Sequence, residues 1–497
     1  MPIRRRTRLA TALLAGVLGV LLALLVPRPG RVGPPPRPAP DAGVGTEAKR
    51  VERREIVTAR ARIAVHDLCE AGVREYAGYV DVARDRHLFF RYFESRTDPA
   101  RDPLVLWLQG GPGDSGAVGA LLESGPCRVA ANGSAARNPH SWTRRANVIY
   151  LDQPVGVGFS FSSSPAPHSA VDTNAAAAAD VHAFLRLFLA HFPALAGRAL
   201  HVVGESYGGI YAPHVAALIW AANQTPGATP IALASVVLAN GITDPAVQIP
   251  SIAEYVCGPA AAHGVLDAAE CRTLRRAAPA CAALIRVCNL LPTEATCGYA
   301  ARWCRARLFA PCMKPDRNWY DLRQRCDAAG AAIARPEWCY ARTAGVARYM
   351  AAPATAAALG VAPARAAAFR AFNMDINAGW NARGEGVRDA ARLLGPLVDG
   401  GVRLLVYAGN QDMMANYVGN ERWVGALRSK HRAAFAATAP GRAWVPRGAA
   451  EAAGRVRSAG PVAFVEVYDA GHMVAHDRPA AALDLFERWV AGEPLDA

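Results

Sequence analysis

The residues best able to do chemistry lie in His201-Val202-Val203-Gly204-Glu205-Ser206-Tyr207-Gly208-Gly209, an apolar run, then G-x-S-x-G, then a helical pattern. Glycines two before and two after a serine permit a strained strand-to-helix turn that lifts the hydroxyl above a sheet. The N–H groups that follow open a helix and favour a developing oxyanion. A serine hydroxyl is a poor nucleophile without a base. In such an elbow the acid and then the histidine follow in chain order. Asp412, in Gly409-Asn410-Gln411-Asp412, and His472, in Tyr468-Asp469-Ala470-Gly471-His472-Met473, each follow a later apolar run. His472 is expected to take the proton of Ser206, and Asp412 to orient the imidazole. Asp469 is a rival acid, ranked second because it sits too near His472 in sequence. A third element, Gln109-Gly110-Gly111-Pro112-Gly113, follows another apolar run. There the Gly111 N–H is expected to complete an oxyanion hole with that of Tyr207. A phosphate-binding loop would need a Lys-Ser/Thr that this glycine cluster lacks. Chemistry of this kind implies no metal and no organic cofactor.

Elements must hold these groups at one edge. Short Val-, Leu- and Ile-rich runs at 104–108, 148–151, 200–203, 235–239, 404–408 and 463–467 read as buried parallel strands. Helical patterns cover 175–190, 207–222 and 479–490. Strand-end loops on one edge of a parallel sheet are where sites assemble. Residues 246–385 interrupt the alternation and carry nine of the 11 cysteines. The expected layout is therefore an α/β core over 63–245 and 386–497, with 246–385 as a Cys-rich insertion.

The net charge of +14 belongs largely to the N-terminus. Residues 1–62 hold 13 Lys and Arg against four acids; the other 435 residues hold 42 against 37. A body so near neutrality does not fit a nucleic-acid binder. Arg4, Arg5, Arg6 and Arg8 precede an uncharged apolar run, 9–26, which reads as a signal peptide or a signal anchor. Residues 27–62 follow as a Pro- and Arg-rich linker. The nine crowded cysteines lack the two-residue C-x-x-C gaps of a zinc ribbon and fit a disulfide-stapled segment in an oxidising compartment. The expected location is thus the secretory pathway: secreted, in a vacuolar or lysosomal lumen, or anchored by the N-terminal segment. Sequons place glycosylation acceptors at Asn132 and Asn223.

Taken together, several segments make the chain resemble the serine carboxypeptidases, the family of carboxypeptidase Y and cathepsin A. They are Trp107–Gly113, Asp152-Gln153-Pro154-Val155-Gly156-Val157-Gly158-Phe159-Ser160, Gly204–Gly209, Asn240-Gly241-Ile242-Thr243-Asp244-Pro245, 407–420 and Gly471-His472-Met473-Val474. The resemblance implies an α/β-hydrolase fold with a mostly parallel central sheet and an inserted, Cys-rich, mainly helical cap. It implies release of C-terminal amino acids from peptides or proteins through an acyl-enzyme, favoured at acidic pH. It also implies that Gln109, Gly110, Glu123 and Glu205 bind the substrate carboxylate. Two crowded acids can retain a proton, and a protonated carboxyl donates to a carboxylate. Two other readings stay open: an acyltransferase on small metabolites, and a catalytically weak protective or scaffold homologue. A homodimer is kept open as the assembly.

Departures from the family pattern bear on the site. Gln109 stands where the family has Asn, one methylene shorter. Asp114 and Phe372 replace the two halves of an expected disulfide, and Ala415 replaces another common cysteine. The family's remaining pairing implies Cys257–Cys271, Cys281–Cys304, Cys288–Cys297 and Cys326–Cys339. The two further cysteines Cys127 and Cys312 are expected to pair, leaving Cys69 odd. Met414 and Met473 suggest apolar side-chain pockets. Glu385 is a candidate for favouring a basic penultimate residue.

Overall fold

The computed structural model describes residues 61–66, 68–70, 73–164, 171–326, 339–340 and 342–496. The expected leader and nearly all of the expected linker lie outside the described residues. In chain order the strands are β1 (Ala61–His66), β2 (Glu75–Ala83), β3 (Arg86–Phe93), β4 (Leu104–Leu108), β5 (Cys127–Val129), β6 (Ala135–Arg137), β7 (Asn147–Leu151), β8 (Phe161–Ser162), β9 (Leu200–Glu205), β10 (Leu233–Ala239), β11 (Arg403–Gly409), β12 (Arg442–Trp444), β13 (Gly454–Ala459) and β14 (Val462–Val467). The main sheet runs β1-β2-β3-β7-β4-β9-β10-β11-β14-β13-β12, with β8 on β3; β5 and β6 form a separate ribbon.

The six sequence-read strands are the six central ones, β7, β4, β9, β10, β11 and β14, and every pairing among them is parallel. Both edges are antiparallel. Alternation along the central strands splits the core in two. Val105, Trp107, Val148, Tyr150, Val203 and Val465 point to one face. Leu104, Leu106, Leu108, Ile149, Val202, Val406 and Phe464 point to the other. Burial on both faces explains why these strands read as unbroken apolar runs.

Helices flanking the sheet include α1 (Asn174–His191), α2 (Gly208–Asn223) and, after the cap, α7 (Pro479–Ala491). The cap includes α3 (Pro245–Val256), α4 (Ala268–Leu290), α5 (Glu294–Cys304) and α6 (Met374–Arg383). Asp267 and Thr293 begin α4 and α5 with capping boxes, which satisfy otherwise orphaned N–H groups. Cys281–Cys304 and Cys288–Cys297 then join α4 to α5 at two levels. Cys257–Cys271 and Cys326–Cys339 complete the four pairings that the resemblance implies.

The expected Cys127–Cys312 pair does not form. Cys127 is bonded to Cys69, with Cα atoms 5.3 Å apart, and Cys312 is a buried free thiol. The reason is local. Glu70 accepts from Arg96 and from Arg137 on β6, which lays its neighbour Cys69 against the β5–β6 ribbon. Cys312 sits instead in the cap's apolar core, its Sγ 3.3 Å from the Leu308 carbonyl oxygen, and burial pushes its thiol up to about 12.

Where the family disulfide is missing, the backbone keeps its geometry. Asp114 and Phe372 face each other in an antiparallel bridge, with Ser115 N donating to Ala371 O (2.9 Å) and Asn373 N to Gly113 O (2.8 Å). Among the described residues, no helix is long and apolar enough to cross a membrane.

Candidate active site

β9 ends at Glu205 and α2 begins at Gly208; Ser206 between them has φ +59°. A non-glycine residue in the left-handed region signals stored strain, commonly at functional sites. Bonds on both sides hold it: Ser206 N donates to Ala239 O (3.1 Å), and its carbonyl accepts from Gly209 N and Ile242 N (both 2.9 Å). The flanking glycines are sterically required. A Cβ at Gly204 would lie 2.1 Å from Gly208 O, and one at Gly209 would lie 2.7 Å from Gly241 Cα. The loop after β4 meets this elbow directly, since a Cβ at Gly110 would stand 2.5 Å from Ser206 Cβ and 2.8 Å from Tyr207 N. Gly110, Ser206 and Tyr207 are therefore one contact cluster, with Gly111 adjoining it at φ +104°.

The later loops meet as well. His472 Nδ1 lies 2.6 Å from Asp412 Oδ2. Asp412 is fully buried, and its carboxylate also accepts from Asn240 Nδ2 (2.9 Å), Met414 N (2.8 Å) and Ala415 N (3.2 Å). Asp469, the rival, instead faces Arg478 at 3.3 Å on the surface. Burial works against a charged His472, but Asp412, with smaller help from Glu123 and Asp114, outweighs it and raises the imidazole's pKa. His472 Nε2 is buried with no hydrogen-bond partner among the described residues.

A second cluster is built from acids and an amide. The Gly116–Val118 helical turn runs into Gly119–Glu123, and Glu123 is 1% exposed. Its carboxyl hydrogen-bonds that of Glu205, while Glu123 Oε1 has no partner among the described residues. Gln109 Nε2 donates to Glu205 Oε1 (2.7 Å), and Gln109 Oε1 accepts from the Trp107 indole (2.8 Å). The extra methylene of Gln109 is thus absorbed by an amide fixed at both ends. Burial, then Glu123, then Asp114 push Glu205 well above the usual carboxyl range. Burial likewise raises Glu123, although its bond to Glu205 and the nearby His476 and His472 oppose this. Two abutting buried acids cannot both ionise cheaply, so the pair retains a proton above the ordinary carboxyl pKa.

Residue types alone did not reveal three supports. Asn240, at φ +42°, bonds Asp412 with its amide nitrogen and accepts from Gly409 N (3.2 Å) with its oxygen, joining the ends of β10 and β11. Asn240-Gly241 directly after a strand was the available signal, because Asn tolerates left-handed turns. Asp152 accepts from Ser115 Oγ (2.5 Å), Gly116 N and Phe159 N (both 2.9 Å), fixing the segment that carries Glu123. The third is a cap hairpin closed by an Arg317–Arg325 bridge. Trp319 O accepts from Met413 N (3.2 Å), Tyr320 O from His472 N (2.7 Å), and Leu322 N donates to Gln411 O (3.0 Å). The Tyr320 ring lies against the His472 imidazole, centroids 4.8 Å apart.

Other expected residues fall elsewhere. Met473 is packed into the core and Met414 is half-buried against the cap. Glu385 is 2% exposed and turned inward: it accepts from Asn174 N (2.8 Å) at the start of α1, beside Arg388 (2.9 Å). Its charge is used inside the fold, which removes it as a contact for a basic substrate residue. Asn132 is exposed in the β5–β6 turn. Asn223 is half-buried, its amide donating to Ile231 O (2.7 Å) and accepting from Ile231 N (2.9 Å), so its amide is already engaged at both ends.

Residues 68–492 match the family model described as serine carboxypeptidase. Carboxypeptidase Y homolog A of Ajellomyces dermatitidis is 37% identical over 424 residues, covering 85% of this chain and 74% of that protein. Carboxypeptidase Y of Candida albicans is 35% identical over 435 residues, covering 87% and 76%. Among solved structures, Kex1(delta)p, a prohormone-processing carboxypeptidase from Saccharomyces cerevisiae, superposes with a TM-score of 0.73 at 22% identity. That superposition covers 84% of this chain and 92% of the other and shows the shared fold.

Proposed function

This chain belongs to the serine carboxypeptidase family, and from that membership we propose how its residues divide the work of removing a C-terminal amino acid. The protein is a serine-type carboxypeptidase acting on peptides, with an α/β-hydrolase fold. Its five disulfides support a place in the oxidising lumen of the secretory pathway.

In our reading, Ser206 Oγ attacks the last peptide carbonyl while His472 Nε2 accepts its proton. Asp412 keeps the other ring nitrogen as a donor and stabilises the imidazolium. The Gly111 and Tyr207 N–H groups hold the oxyanion, where each such donor is typically worth about 10²–10³ in rate. Collapse of the tetrahedral intermediate breaks the C–N bond as His472 returns the proton to the leaving amine. Water, activated by the same imidazole, then hydrolyses the acyl-enzyme.

The observation that carries the exopeptidase reading is the buried Glu123–Glu205 pair joined to Gln109 beside the elbow. A protonated acid pair, the Gln109 amide and the Gly110 N–H supply donors to one terminal carboxylate, which an internal peptide bond would not satisfy. The sign of the pH dependence follows. The donor form exists below the pair's raised pKa, so binding weakens as pH rises through it, and acidic pH favours turnover. The base limb is opposed by an acid limb, because His472 must be neutral to accept a proton and its own pKa is raised.

Incubation with a blocked dipeptide tests the assignment. Release of the free C-terminal amino acid is expected, with Ser206→Ala lowering kcat by about 10⁶-fold while leaving the fold intact. Acyl transfer to a small acceptor without such release would establish the acyltransferase reading instead. Failure of Ser206 to label with a fluorophosphonate would establish the scaffold one. We further assign glycosylation to Asn132 rather than Asn223, checked by a mass shift lost in Asn132→Gln.

A further inference from the structure

The α4–α5 hairpin of the cap is both strongly basic and unusually apolar at its surface. From Asp267 to Phe309 it carries seven arginines against three acids, a surplus of four out of the five that residues 63–497 hold in all. Asp267 is taken up capping α4, Glu270 faces Lys314 (2.9 Å) and Glu294 faces Arg383 (3.4 Å). The seven arginines are exposed, and among the described residues none of them makes an ion pair. Arg272 and Arg286 act at longer range on Asp267 and Asp244. The same hairpin holds four of the six large apolar side chains that stand exposed among the described residues. Cys281, Ile285 and Cys288 turn inward, so Val287 and Leu290 fall on the far side of α4; Leu291 follows at the turn, and Tyr299 stands on α5. Leu290 is 85% exposed and the other three about half. Arg286 lies within one turn of Val287 and Leu290, and Arg302 within one turn of Tyr299.

An exposed apolar cluster of this kind marks an interaction surface, and the charge around it selects the partner. A second copy meeting this face about a two-fold axis would set the arginines of both copies against each other. A neutral apolar partner would leave them without counter-charge. A bilayer with anionic headgroups suits both halves of the tip. Aliphatic side chains enter the acyl boundary, while guanidinium groups, their stems laid along apolar surface, pair with lipid phosphates. Such a contact is peripheral, because among the described residues no helix is long and apolar enough to cross a membrane. We propose that the tip of the α4–α5 hairpin is a membrane-contact face, with Val287, Leu290, Leu291 and Tyr299 entering an anionic leaflet and Arg286 and Arg302 on its phosphates. None of the six belongs to the catalytic or carboxylate-binding set, so adsorption leaves the chemistry itself unchanged.

An environment-sensitive dye on Leu290→Cys in the full chain reads the tip directly, since the native free thiol, Cys312, is buried. Vesicles of phosphatidylcholine containing phosphatidylglycerol are expected to shift its emission to the blue. Vesicles of phosphatidylcholine alone are not, and added salt should reverse the shift. Co-sedimentation with the same vesicles then measures partition. Arg286→Gln with Arg302→Gln should lower it about 30-fold at low salt. Leu290→Ser with Leu291→Ser should lower it at least about tenfold. Both double variants are expected to keep the wild-type kcat/KM on a soluble blocked dipeptide, which shows that they fold. A dye that stays unshifted, whether or not the protein sediments with the vesicles, overturns the proposal. So does a dye already shifted to the blue before lipid is added: with protein concentration it marks a self-contact, and without it cover by the chain itself. Equal partition of wild type and both double variants overturns it too.

Discussion

In the α/β body, a catalytic loop is held by the strand that feeds it; in the cap, helices α4 and α5 are held by sulfur. β9, β10, β11 and β14 are buried nearly throughout and lock one another by parallel ladders. Their C-terminal ends place Ser206, Asn240, Asp412 and His472 at one edge. The α4–α5 hairpin buries a smaller set of side chains, among them Leu274, Ile285 and four half-cystines, and leaves Leu290 85% exposed. A small apolar core supplies little stability by itself, and cross-links compensate by restricting the unfolded chain. Chemistry therefore sits on the rigid sheet edge, while the cap takes its shape from a few covalent ties.

Breaking the sheet-edge side of this contrast should have the largest effect. Asp412→Asn is expected to lower kcat by about 10⁴-fold, because the amide presents the wrong partner to His472. The fold should survive it, which parallel thermal unfolding curves of the two proteins would check. The covalent ties come next and sharpen the comparison by length. Losing Cys69–Cys127, which spans 58 residues, should cost about 4 kcal/mol of unfolding free energy in the chain-entropy model. Losing Cys288–Cys297, which spans nine, should cost about 2.5 kcal/mol. Urea titration of Cys69→Ser with Cys127→Ser, and of Cys288→Ser with Cys297→Ser, measures both; the reverse order would mean that native strain, not loop length, decides. The smallest effect lies in the acid pair. Glu123→Gln removes the neighbour that, after burial, most holds Glu205 protonated, so the alkaline limb of kcat/KM should move to lower pH, with roughly a few-fold change at acidic pH.

The two regions also differed in how far they could be read from sequence. The six central strands were legible because burial on both faces makes each one a short apolar run between turn residues. The elbow was legible because its glycines leave a pattern. The edge strands β2 and β3 were missed: residues such as Arg91, which pairs with Glu75 in the interior, interrupt their apolar character. In the cap, cysteine positions were plain but partners were not. The family pattern supplied four pairs correctly, while Cys69–Cys127 depends on Glu70 reaching Arg96 and Arg137, distant in sequence. Glu385 misled for a related reason. An acid in a glycine-rich turn reads as exposed, yet here it caps a helix more than 200 residues earlier.

The hairpin at 317–325 gives these two regions a shared fate. Because its carbonyls and one N–H are hydrogen-bonded to the backbones of 411, 413 and 472, it braces from the cap side two loops that the β11–β14 ladder and the Gln411 N–Ala470 O bond (2.9 Å) already hold together. Anyone grafting a different lid onto this body would have to transplant that hairpin together with its two abutments, or leave the Asp412 and His472 loops without their outer brace.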